Sequence, residues 1–76
     1  MSLSQMLIGT IRRAIPGGIG QYQLECEDGR FVPFVLDDCS DRATQIDLDE
    51  LEGEFCELVG RMRLHVFIVE TIEVLP

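Results

Sequence analysis

From Tyr22 to Cys26 the chain alternates apolar and polar residues, Tyr-Gln-Leu-Glu-Cys, and then turns through Glu27-Asp28-Gly29. A period of two puts Tyr22, Leu24 and Cys26 on one face of a strand and Gln21, Gln23 and Glu25 on the other. The turn decides the next strand, because one residue of slip reverses its faces. A two-residue Asp28-Gly29 loop would set Val32 and Phe34 beside Gln23 and Glu25. A three-residue loop, with Gly29 in the left-handed position of a bulge, sets Phe34 opposite Tyr22 and Val32 opposite Leu24. The second register is preferred: it makes Val32, Phe34 and Leu36 core and leaves Phe31, Pro33 and Val35 on the outer face.

The rest of the chain is punctuated around this hairpin. Met6 to Ile11 is β-rich, with Gly9 at a place where a bulge or bend is expected. Pro16, Gly17, Gly18 and Gly20 form a loop by composition. Asp37 to Gln45 reads as a surface connection. Asp47 and Glu50 then have the spacing of a capping box, Ile46 and Leu51 that of a hydrophobic staple, and Gly53 suits the residue that ends a helix. A helix of one or two turns is predicted there. Glu54 to Met62 and Leu64 to Leu75 make a final hairpin, with Gly60 as a bulge and Arg61-Met62-Arg63-Leu64 as a tight connection. The prediction is an all-β module.

The stretches Leu7-Ile8-Gly9-Thr10-Ile11, Tyr22 to Gly29, Leu51-Glu52-Gly53-Glu54-Phe55 and Leu58-Val59-Gly60-Arg61-Met62, followed by Val69-Glu70-Thr71-Ile72, resemble in order the pattern of the OB-fold superfamily. They are similar to the compact OB domains of aminoacyl-tRNA synthetases and helicases, and to small bacterial OB-fold proteins of unassigned function. The resemblance implies a five-stranded Greek-key barrel with one short helix between strands three and four. It covers roughly Met6 to Leu75. At 76 residues, one such domain over positions 1–76 accounts for the chain.

Charge bears on partners. Fourteen Asp and Glu stand against six Arg and no Lys, a net charge of -8, which repels phosphate backbones and anionic lipid. No apolar run approaches the roughly 20 residues of a membrane span. Cys26, Cys39 and Cys56 are an odd number without CxxC spacing, so free thiols and a cytoplasmic location are expected. Cys26 and Cys56 read as small core residues, and the acidic loop around Cys39 disfavours its thiolate.

Catalytic and cofactor motifs fail on inspection. Gly17-Gly18-Ile19-Gly20 is followed by a strand, where a phosphate-cradling loop needs a helix. Asp47-x-Asp49 has Glu52 where a calcium loop needs Gly and Leu58 where it needs Glu. Asp37, Asp38 and Asp41 read as solvated surface, and His65, the single histidine, has no partner at catalytic spacing. No enzyme activity, cofactor or metal is expected.

Two binding functions remain. The first is a non-catalytic module that binds a protein partner or a second copy of itself. Val66-Phe67-Ile68-Val69 are four apolar residues in succession and cannot all face one side of a strand. With Phe31 and Val35, an outward pair, taken as Phe67 and Val69, or Val66 and Ile68 if the bulge reverses the faces, would form the contact face, and a homodimer or larger assembly is expected through it. The alternative is a single-stranded nucleic-acid-binding module. For this, Arg12, Arg13, Arg61 and Arg63 would gather at one end beside Phe31.

Overall fold

The computed structural model describes residues 4–13, 22–37 and 46–76. Five strands and one short helix follow in the order β1 (Gln5–Arg13), β2 (Tyr22–Cys26), β3 (Phe31–Leu36), α1 (Leu48–Leu51), β4 (Phe55–Arg63) and β5 (Val66–Val74). The strands pair as a closed ring, β1-β2-β3-β5-β4, with β4 returning to β1. Every pairing is antiparallel except β3 with β5, which makes the sheet mixed.

The central hairpin has the three-residue register. Tyr22 stands opposite Phe34 and Leu24 opposite Val32, and the Cys26 amide donates to the Arg30 carbonyl at 2.8 Å. Gly29 takes φ +89°, the left-handed position that closes such a loop at no steric cost. Tyr22, Leu24 and Phe34 are consequently buried, and join Ile11, Cys56, Leu58, Phe67 and Val69 in one core.

Gly9 does not form a bulge: the β1–β4 register runs through it without a break, and the β1–β2 register begins at it. It serves close packing instead. A Cβ there would lie 3.0 Å from the Glu25 carbonyl carbon and closer still to its oxygen. The bulge at Gly60 is present, as a register shift between Val59 and Gly60 that leaves Glu70 as the extra residue on β5.

Helix α1 is a single turn capped by Asp47, whose carboxylate accepts from the Asp49 amide at 3.1 Å rather than from the Glu50 amide. Leu48 and Leu51 pack against the core. Gly53, at φ +87°, ends the turn and donates its amide to the Ile11 carbonyl at 2.7 Å, so the helix is stitched to β1. Asp47→Ala should lower stability by about 1 kcal/mol, as lost caps do; coincident denaturant midpoints for variant and parent would exclude the cap.

Cys26 and Cys56 are free thiols. Burial raises both pKa values above the ordinary thiol value, helped by Asp28 beside Cys26 and by Glu54 beside Cys56. Folding therefore favours the protonated thiols. Their contribution to stability is whole below the unfolded thiol pKa and is lost as pH rises through the raised folded values. At neutral pH both should react slowly with a thiol reagent until the protein is unfolded, when three thiols per chain are expected to react. Fast reaction of Cys56 in the folded protein would contradict its burial; Cys26, expected in the core, is only partly buried at the core's edge. Cys39, the rest of the acidic connection and the glycine-rich loop lie outside the described residues.

Candidate interaction surface

The closing strand presents the opposite face from the one expected. Phe67 and Val69 are both 0% exposed and belong to the core, so neither is available to a partner. The reason is the extra residue at Glu70. Below it Ile72 and Val74 stand opposite Leu58 and Cys56, and above it the inward positions become Val69 and Phe67, opposite Gly60 and Met62. Val66 and Ile68 are left on the outer face, each partly exposed.

The arginines do not gather. In the β1–β4 pairing Thr10 lies beside Phe55 and Gln5 beside Gly60, so Arg12 and Arg13 sit past the start of β4 while Arg61 and Arg63 end it. Even the nearest members, Arg12 and Arg61, are separated by about 25 Å of strand. Carboxylates also occupy most of them. Arg12 Nε meets Glu25 at 3.1 Å, and Arg61 Nη1 meets Asp37 at 3.4 Å and Glu70 at 3.6 Å. Arg13 reaches Asp49 at 3.2 Å and Glu52 at 3.4 Å, with its guanidinium 5.8 Å from the Tyr22 ring centre. The Tyr22 hydroxyl donates to the same Asp49 carboxylate. That cluster ties α1 over one end of the ring.

At the other end β4 and β5 are joined by a two-residue turn, Leu64-His65, later in the chain than expected. Leu64 has φ +58° and is 90% exposed. Two open depressions flank it. One, of about 440 Å³, is lined by Val35, Val66 and Ile68 on the outer sheet face and by Arg63, Leu64 and His65. The other, of about 480 Å³, lies between the start of β3, at Arg30 to Pro33, and Met62, Leu64 and His65. Phe31 is 52% exposed and Met62 42%.

Of the residues expected to face a partner, Phe31 and Val35 are therefore on this surface. Arg63, expected to bind nucleic acid, is there too, apart from Arg12 and Arg13. Leu64, His65 and Met62 were not anticipated, and Val66 and Ile68 are the pair expected outside only if the bulge reversed the faces. The Val66–Val69 run did signal that one apolar pair must face outward, but parity across the bulge decides which. Arg30 is held by Asp28, whose carboxyl is kept below the usual carboxylate range by the Arg30 amide and guanidinium.

Among the described residues no group of three or more His, Cys, Asp or Glu is placed to hold a metal ion. No helix among them is long and apolar enough to cross a membrane. No family model, curated protein or solved structure matches the chain.

Proposed function

We propose that the protein is a small OB-like Greek-key barrel acting as a non-catalytic protein-interaction module, which receives its partner on the outer β3–β5 face around Leu64. The strand order and the helix between β3 and β4 support the OB-like reading. The observation that carries the functional reading is Leu64. A left-handed backbone costs a side-chain-bearing residue about 1 kcal/mol or more, and glycine would fill this turn without that cost. A nearly bare leucine adds nothing to the core. Local rules broken together at one residue point to a role outside the fold, and strain of this kind gathers at binding sites.

Nucleic-acid binding is less favoured. The expected arginine patch is divided between two ends, and three of its four members, Arg12, Arg13 and Arg61, are engaged by carboxylates.

Leu64→Gly separates the two roles of this residue, because it removes the side chain and the strain while leaving the core intact. Its stability should equal or slightly exceed the parent's. Peptides from a displayed random library should enrich on the parent and not on Leu64→Gly. A single-stranded oligothymidylate should show no anisotropy change up to about 100 µM protein at moderate salt. Equal enrichment on both proteins would overturn the reading.

A further inference from the structure

The two depressions are lined by six and seven residues with Leu64 and His65 common to both, eleven in all, and none of the eleven is acidic. In a chain where acids outnumber arginines fourteen to six, this is a local reversal of sign. The groups that bear or accept positive charge on it are Arg30, Arg63 and His65. Arg30 is engaged by Asp28 at 2.6 Å. Arg63 makes no ion pair among the described residues, in contrast to Arg12, Arg13, Arg30 and Arg61.

Resting on the reading of this face as a protein-binding surface, we infer that its occupant is a short acidic and apolar segment of a partner protein. Such a segment lays an apolar side chain against Val35, Val66 and Ile68 and sets a carboxylate on the Arg63 guanidinium. The pairing is charge-assisted, and the planar fork of arginine suits a carboxylate.

Size and charge select this occupant over a second copy of the chain. Eleven residues are about half of the 20–30 that each side of a standard interface contributes, which fits a peptide-sized ligand. A second copy would bring another charge of -8. Two-fold contact through the same face would also set Arg63 and His65 near their own counterparts. Against a nucleic acid, Val35, Val66 and Ile68 are branched aliphatic groups with no π face for a base, which leaves Phe31 and His65 in place of a row of stacking aromatics. The field of the whole chain also opposes a polyanion more than a segment with a few carboxylates.

The test uses the parent, Leu64→Gly and Arg63→Glu, each checked for folding by circular dichroism, as parallel targets for the same displayed random-peptide library. The peptides lost on Leu64→Gly are expected to carry more Asp and Glu than Lys and Arg among apolar residues. Their affinity should fall about tenfold in Arg63→Glu, which corresponds to one lost charged contact, and should weaken with added salt. Enrichment of Lys- and Arg-rich peptides that Leu64→Gly abolishes would overturn the acidic partner and leave the proposed function standing. Absence of any enrichment that depends on Leu64 would overturn both. A dimer in sedimentation equilibrium that Leu64→Gly dissolves would replace the partner segment by a second copy. Oligothymidylate binding lost in Arg63→Glu would replace it by nucleic acid.

Discussion

Gly60→Ala should lower the melting temperature by 15 °C or more, or leave no cooperative transition at all. A Cβ on Gly60 would lie 2.8 Å from the Ile68 carbonyl carbon, 3.0 Å from the Val69 Cα and closer still to the Ile68 oxygen. These are backbone atoms of β5, and no flexible side chain is present to move aside. The strands must part where the sheet shifts register, which is also where β5 changes the side it turns to the core. A displaced ladder and a strained bulge together should cost about 3–5 kcal/mol, at or beyond the upper range for overpacking. A domain of this size holds only about 4–11 kcal/mol in all, and each kcal/mol moves its transition by about 4–8 °C. A melting temperature within a few degrees of the parent's would mean that β4 and β5 do not approach each other as described.

Phe67→Ala should cost about 3–5 kcal/mol, whereas Ile68→Ala should cost about 1 kcal/mol or less. Phe67 is 0% exposed, and its removal leaves a void beside Phe34, its partner in the parallel pair. Ile68 stands on the outer face and lines an open depression, so its truncation empties nothing enclosed. Chemical denaturation of the two variants compares adjacent residues on one strand. Equal losses, or a larger loss at Ile68, would reverse the assignment of faces and return Phe67 to the surface.

These two variants mark the boundary of what the residues reveal unaided. The β2–β3 hairpin was legible down to its register because alternation and loop length are local and agree with each other: only the three-residue loop puts Phe34 and Val32 on the side of Tyr22 and Leu24. The capping Asp47 and the terminating Gly53 were legible for the same reason, since both act within one turn. The inward side of Phe67 was not. It depends on which of two paired strands carries the extra residue, and Gly60 on β4 announces the site while Glu70 on β5 supplies the residue. The separation of Arg12 and Arg13 from Arg61 and Arg63 depends on the β1–β4 pairing, a contact between distant parts of the chain. Leu64 left no signal, because leucine is not a turn residue and its left-handed backbone runs against preference.

The parallel pairing of β3 with β5 has a kinetic side. β1 to β3 and the β4–β5 hairpin each assemble from neighbours in sequence, but the two units meet across distant parts of the chain, at Phe34 and Phe67 in the β3–β5 pair and at Gly9 and Cys56 in the β1–β4 pair. The chain entropy lost in closing the first of these long loops must be met before the contacts return anything, so joining the two units, with the β3–β5 seam as part of that step, should come late and set the folding rate. Until it forms, β3 and β5 each present an open edge carrying the side chains that later fill the core. Dilution during refolding should therefore favour the closed molecule over chains that complete each other's sheets.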